Sequence, residues 1–128
     1  MIMSLTDNQL KALWIKRNGN KAWAKDCYGA WIYFYDRGRD CSPRVNPDGV
    51  KEPCGWEIDH IYPEAKGGRD DESNLEIVYG GFNGMKSDEL NYKLTGDTVF
   101  KVMKRYYKGG YGIYDTKRQK FIDWVSNH

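Results

Sequence analysis

Apolar and polar positions divide the chain into segments with helix-like and strand-like spacing. Thr6 and Gln9 have the spacing of a capping box, and apolar residues then recur at helical intervals until a stop at 18–20. The aromatic run at 30–35 is typical of a strand. The segment 36–55 contains repeated glycines and prolines, so it predicts an irregular loop.

The middle of the chain predicts a strand, a long loop, a second strand and a helix. Residues 56–61 alternate between apolar and polar positions, as in a half-buried strand that Pro63 ends. Gly67 allows a turn with positive φ. A second short strand over 75–79 precedes a short helix over about 82–90. The expected fold is α+β, with a ββα unit built on a short antiparallel hairpin.

The C-terminal part predicts two further helices. Residues 98–107 carry apolar side chains at helical spacing, and Asp115 is a candidate cap for a last helix. Because no repeat or linker indicates a second domain, we expect 1–128 to form a single domain. Its motif core is expected at about 54–90, and its C-terminal helical extension at about 97–126.

Charge is distributed unevenly although the net charge is only +2. From Lys101 to Lys120 there are seven basic residues and a single acid, Asp115, whereas 64–76 lean acidic. This pattern suits a polyanionic substrate that approaches a cation, and the alternative is a solvated helix face. A charged fraction of 30% and the lack of a long apolar run exclude a disordered chain and a membrane-spanning segment.

Three cysteines without a Cys-x-x-Cys pair exclude a four-thiolate zinc site. Because the chain has only two histidines, no structural zinc is expected. A Cys41–Cys54 disulfide stays open, but no export signal is recognisable, which favours free thiols and a cytoplasmic location. The role of Cys27, Cys41 and Cys54 is open.

The Asp59-His60 dipeptide is the first candidate for chemistry. Neighbours on a strand point to opposite faces, but the nearby Pro63 predicts irregular backbone that lets both side chains serve one site. A carboxylate is a hard ligand for Mg²⁺ or Mn²⁺, and an imidazole with a pKa near 6.5 can take a proton from water. The dipeptide alone is common and more typical of a structural role.

Two asparagines extend this candidate site. Asn83 falls in the first turn of the predicted helix, where its carbonyl oxygen can ligate a hard cation or, alternatively, cap the helix. Asn74 ends the long loop, and its amide can bond backbone groups on both sides and fix the shape of the loop.

With Lys86 added, this set of residues resembles the HNH endonuclease family, which has the ββα-metal fold. Asp59-His60 matches the family's Asp-His pair, Asn74 its loop asparagine, and Asn83 the helix position three residues before a lysine. The last letter of the motif is asparagine here, which is the HNN variant also found in active members. The resemblance covers roughly 26–90.

The resemblance implies a metal-dependent endonuclease that hydrolyses phosphodiester bonds, most often in duplex DNA. In this assignment His60 is the general base, and Asn74 is the second catalytic residue. Asp59 and Asn83 hold one Mg²⁺ or Mn²⁺ ion. Lys86 and Arg69 are candidate phosphate contacts, or alternatively solvated side chains.

Other functions with the same residues stay open. One is a non-catalytic nucleic-acid-binding module that keeps the ββα shape, and another is a toxin or restriction-type nuclease that acts with a partner protein. A homodimer would let a nuclease with one site cut both strands. A bacterial or phage-encoded context agrees with the family, whereas substrate sugar, sequence specificity and biological role are not set by these residues.

Overall fold

The computed structural model describes residues 5–128, and the chain divides into two compact units. The first unit comprises Met1–Glu57 and Ile77–Gly80. The second comprises Ile58–Glu76 and Gly81–His128. All six residues of the predicted site, which lie between Asp59 and Lys86, belong to the second unit.

The first unit begins with a capped helix followed by small hairpins. Helix α1 starts after Thr6, whose hydroxyl accepts a hydrogen bond from the Gln9 amide at 3.1 Å while the Gln9 side chain accepts one from the Thr6 amide at 2.9 Å. This confirms the predicted capping box. The elements are α1 (Asp7–Asn18), β1 (Trp23–Lys25), β2 (Trp31–Tyr33), β3 (Arg44–Val45) and β4 (Lys51–Glu52), with β1–β2 and β3–β4 antiparallel. The predicted aromatic strand is therefore present as β2, and the predicted irregular loop contains a short hairpin.

Tryptophans form the centre of the first unit. Trp14 and Trp56 are each 1% exposed, and their ring centroids lie 5.2 Å apart. Phe34 packs on Trp14 at 5.3 Å, and the Trp56 indole N–H donates to the Phe34 carbonyl at 2.9 Å. Because a buried indole is costly unless its N–H is bonded, this bond lets the Trp56 ring lie in the core.

A buried carboxylate, Asp26, fixes the end of strand β6 (Leu75–Tyr79). It accepts backbone N–H bonds from Tyr28 and Ala30 through one oxygen, and from Tyr79 through the other at 2.9 Å. Burial raises the pKa of Asp26 to about 6, and the Tyr79, Ala30 and Tyr28 bonds act in the opposite direction. The carboxylate thereby secures the residue that precedes the next helix.

The predicted order of strand, loop, strand and helix is present in the middle of the chain. Strand β5 (Trp56–His60) and β6 form a two-stranded sheet, and α2 (Gly80–Lys86) follows. The loop between the strands contains two single-turn 3₁₀ helices, Glu64–Lys66 and Glu72–Asn74. Gly67 has the predicted positive φ, at 97°.

The prediction of a C-terminal helical extension was wrong, because this region is a sheet. It contains β7 (Asn91–Tyr92), β8 (Phe100–Lys104), β9 (Tyr111–Asp115) and β10 (Lys120–Phe121), in the antiparallel order β10-β9-β8-β7, and α3 (Trp124–Asn127). Phe100 and Val102 are buried and Lys101 is exposed between them, which is the period of a strand. The basic segment therefore lies on strands and their turns.

Within the described residues, no helix combines the length and the apolar character that crossing a membrane requires.

Candidate active site

His60 lies at the end of β5, with an imidazole that is 17% exposed. Its Nε2 is 2.8 Å from an oxygen of Asp70 and 3.8 Å from an oxygen of Glu64. The ligand atoms of these three residues lie within 4.8 Å of one another, so they form a group that could hold a metal ion. Glu64 and Asp70 were not singled out from the sequence, where the only signal was the acidic lean of 64–76.

Asp59, the neighbour of His60, is buried and paired with a lysine. Its Oδ1 accepts a hydrogen bond from Lys86 Nζ at 3.0 Å, and the same ammonium donates to the His60 backbone carbonyl at 3.0 Å. Lys86 thus contacts both residues of the dipeptide. Burial raises the pKa of the Asp59 carboxyl, while Lys86 and then His60 act in the opposite direction.

The two oxygens of the Asp59 carboxylate differ in their surroundings. In the described part of the chain, Oδ2 is buried and accepts no bond. A buried acceptor without a partner is costly, and each such atom in a native structure calls for an explanation, an ion being one. A carboxylate oxygen is a ligand that prefers hard cations among the metal ions. The residue therefore fits the metal role that the family resemblance implies.

Asn74 ties the two sides of the loop together. Its Oδ1 accepts from the Tyr62 amide at 2.8 Å, and its Nδ2 donates to the carbonyls of Tyr62 at 3.1 Å and Arg69 at 2.9 Å. Its own backbone carbonyl accepts from the Ile61 amide at 2.8 Å. These are the two-sided backbone bonds expected from the sequence, and they hold the residues that follow His60.

Asn83 and Lys86 share helix α2 but differ in environment. The Asn83 side chain is partly exposed, and among the described residues no hydrogen bond joins it to Asp59 or His60. Lys86 is 2% exposed and directed at Asp59, so its ammonium points into the protein and not toward solvent. Arg69, the other predicted phosphate contact, is 80% exposed and lies 3.0 Å from Asp71.

The C-terminal sheet contacts the site loop at two points. Arg105 donates to the Ser73 carbonyl at 2.8 Å, next to Asn74, and pairs with the fully buried Asp123 at 3.2 Å. The ring of Tyr111 stacks on Tyr62, with centroids 4.1 Å apart and an interplanar angle of 22°. The sequence could not indicate these supports, because the residues lie far apart along the chain and the region was predicted to be helical.

One comparison with known proteins gives a match within the chain. Residues 48–89 match the HNH endonuclease family model. The HNH match covers about a third of the chain and includes Asp59, His60, Asn74, Asn83 and Lys86. It confirms the resemblance that the motif indicated. No curated protein and no solved structure gives a significant match to the chain.

The HNH match indicates a hydrolytic nuclease that acts on nucleic acid. HNH nucleases generally use divalent metal ions, and the His60, Glu64 and Asp70 group offers a possible site for one. The C-terminal sheet lies outside the matched residues.

Proposed function

We propose that this protein is a metal-dependent HNH endonuclease of the HNN type that hydrolyses phosphodiester bonds in duplex DNA. The observation that carries the proposal is that strand β5 ends in two adjacent residues suited to this chemistry. His60 has a partly exposed imidazole, and Asp59 has a buried carboxylate whose Oδ2 has no hydrogen-bond partner among the described residues. The HNH match over the same residues supports it.

Asp59 would hold a single Mg²⁺ or Mn²⁺ ion through Oδ2, with the Asn83 side-chain oxygen as second protein ligand. Two oxygen ligands favour these ions over Zn²⁺. When bound, such an ion supplies charge neutralisation at the phosphate and stabilises the leaving oxygen. Lys86 keeps Oδ1 occupied at 3.0 Å, so it fixes the carboxylate with Oδ2 as the available oxygen.

His60 would act as general base by taking a proton from the attacking water. Its partial exposure lets water and substrate approach, and an imidazole can accept a proton near neutral pH. Asn74 would hold the loop beyond His60 in place through its bonds to Tyr62 and Arg69. Because Lys86 faces inward, we assign it to positioning Asp59, and we leave the phosphate role to Arg69 and to a residue of the sheet.

That sheet residue is Lys104, which is exposed on β8. It lies directly opposite Tyr111 in the β8–β9 register, and Tyr111 stacks on Tyr62 of the site loop. Cross-strand partners share a sheet face, so Lys104 lies on the face that meets the site loop. Lysines that contact phosphates make affinity strongly dependent on salt. We propose that Lys104 contacts the DNA backbone.

Metal removal is the experiment that tests this function. Purified protein should convert supercoiled plasmid to nicked or linear product with Mg²⁺ or Mn²⁺, lose this activity in excess chelator, and regain it when either ion is restored. Zn²⁺ should restore it poorly, because oxygen ligands suit harder ions. Full turnover in the presence of chelator would contradict the proposal.

The same assay can separate the substrates. Linear duplex, single-stranded DNA and RNA are incubated under the same conditions, and duplex DNA is expected to be cleaved fastest. Binding to DNA without cleavage, under every metal tested, would favour the non-catalytic binding module instead.

A further inference from the structure

We infer that Asp70 is the positioning residue of the proposed general base, because it holds the Nε2–H of His60 and leaves Nδ1 as the nitrogen that takes the proton from water. The inference rests on the proposed nuclease function and deepens it. Neither the family motif nor the HNH match assigns a role to Asp70.

The hydrogen bond itself fixes the tautomer. Asp70 Oδ1 lies 2.8 Å from His60 Nε2, a distance typical of a strong charge-assisted bond. An ionised carboxylate can only accept, so Nε2 must carry the hydrogen. In a neutral imidazole the other nitrogen, Nδ1, then has the free lone pair. The nitrogen that can act as base is therefore Nδ1.

The loop is built so that Asp70 is held from both sides. The Asn74 side chain donates to the carbonyl of Arg69 at 2.9 Å, and the Asn74 amide donates to the carbonyl of Asp71 at 2.8 Å. Asp70 is the residue between these two anchors. Asn74 thus holds Asp70 in place, and Asp70 in turn orients the His60 ring.

The turn before Asp70 also tolerates little change in sequence. A Cβ at Gly68 would clash with the Tyr62 carbonyl, so glycine is required where the loop returns toward β5. The Asp70 side chain is 36% exposed, whereas the imidazole is 17% exposed. The carboxylate is therefore more exposed than the ring that it contacts.

The functional test is Asp70→Ala, with Asp71→Ala as the control. Both remove one carboxylate from the same loop, and the Asp71 side chain lies 3.0 Å from the exposed Arg69, whereas its bond to Asn74 involves only the backbone. Asp70→Ala should lower kcat by about 10- to 100-fold with little change in KM, because loss of a ligand-orienting or base-orienting partner has effects of this size. Asp71→Ala should change kcat less than twofold. Asparagine keeps the size of the side chain but is a weaker acceptor, so the kcat of Asp70→Asn should lie between those of Asp70→Ala and Asp71→Ala. An unchanged kcat in both Asp70 variants overturns the inference.

The tautomer gives a readout that does not depend on activity. The chain has only two histidines, His60 and His128, so ¹⁵N spectra of the metal-free protein can be assigned with a His128→Ala variant. The neutral His60 ring should be the Nε2–H form in the wild type and a mixture in Asp70→Ala. A wild-type ring with hydrogen on Nδ1 overturns the inference, even if the protein is an active nuclease.

An ion bound among His60, Glu64 and Asp70 is the competing reading of the same cluster. It predicts that Asp70→Ala raises the Mg²⁺ concentration needed for half-maximal cleavage. The positioning role predicts no such rise, so a rise overturns it. If the wild-type protein cleaves nothing with any metal, the proposed function fails, while the ¹⁵N spectrum still decides whether Asp70 holds Nε2–H.

Discussion

Asp59 and Lys86 form an ion pair in which both side chains are buried, at 4% and 2% exposure. Removing two charges from water is costly, and a 3.0 Å contact with an additional bond to the His60 carbonyl offsets that cost only while both partners remain. The main effect of the pair is therefore to fix the end of β5, which carries the proposed base His60. Its contribution to net stability is smaller.

Replacing Lys86 should show this dependence. We expect Lys86→Met to lower the free energy of unfolding by about 3 kcal/mol, because it leaves a buried carboxylate without its partner. Urea denaturation followed by fluorescence measures the change, and Lys66→Met, at an exposed position, should change it by less than about 0.5 kcal/mol.

The double variant Asp59→Asn/Lys86→Met should recover part of the loss, since it removes both charges. Equal stability of Lys86→Met and the wild type would mean that the pair does not hold the strand end.

At the level of single residues, the sequence indicates the residues of the motif but not the side chains that they contact. Asp59, His60 and Asn74 could be named because each has a fixed place in a short pattern. The role of Asp70 could not, because it depends on how the turn at Gly67 returns the loop to β5. Lys86 was expected at the surface, and only the fold shows that it is buried.

Among the elements, the C-terminal sheet supports the loop of the candidate site. Arg105 follows β8 and donates hydrogen bonds to Asp123, to Ser126 and to the carbonyls of Gly109 and Ser73. Such a fork of donors satisfies several buried acceptors at once, which a lysine cannot do. The arginine thereby connects the sheet to the residue before Asn74.

Arg105→Lys should therefore destabilise the protein although it keeps the charge. We expect a loss of about 2 kcal/mol in the free energy of unfolding, because several buried acceptors lose their donor. Hydrogen exchange should also quicken at the Tyr62 amide, which Asn74 protects. Lys101→Met, at an exposed position on the preceding strand, is the control, and equal effects of both substitutions would contradict the account.

The elements differ in how far the sequence predicts them. Helix α1 and the β5–β6–α2 order follow from capping residues, alternation and glycine positions. The C-terminal strands were hidden because apolar residues near Phe100 fit both helical and strand spacing. Left-handed backbone at 108–110 permits the hairpin between β8 and β9, and pairing between strands outweighs the local helical pattern.

At the level of the whole molecule, the C-terminal sheet carries lysines on both faces, and the two faces differ in their position relative to the site loop. Lys104 lies on the face that includes Tyr111, which stacks on the site loop, whereas Lys101 lies on the opposite face beside Tyr114. The net charge of +2 hides this arrangement. Nucleic acid that reaches the candidate site should therefore meet Lys104 and not Lys101.

Charge reversal at these two lysines tests the binding face. We expect Lys104→Glu to weaken duplex DNA binding. The slope of log K against log salt should become shallower by about one, as expected for the loss of one phosphate contact. Lys101→Glu makes the same change in net charge and should have a smaller effect. Fluorescence anisotropy at several salt concentrations measures both, and equal weakening would show that binding follows net charge alone.

The central claim is that His60 is the base of a metal-dependent nuclease, and the rate of plasmid cleavage by His60→Ala tests it most directly. At saturating Mg²⁺, the variant should cleave supercoiled plasmid at least about 100-fold more slowly than the wild type, since a general base contributes about 10²- to 10⁴-fold. Its unfolding transition and DNA affinity should stay close to wild type. Cleavage by folded His60→Ala at the wild-type rate would contradict the account.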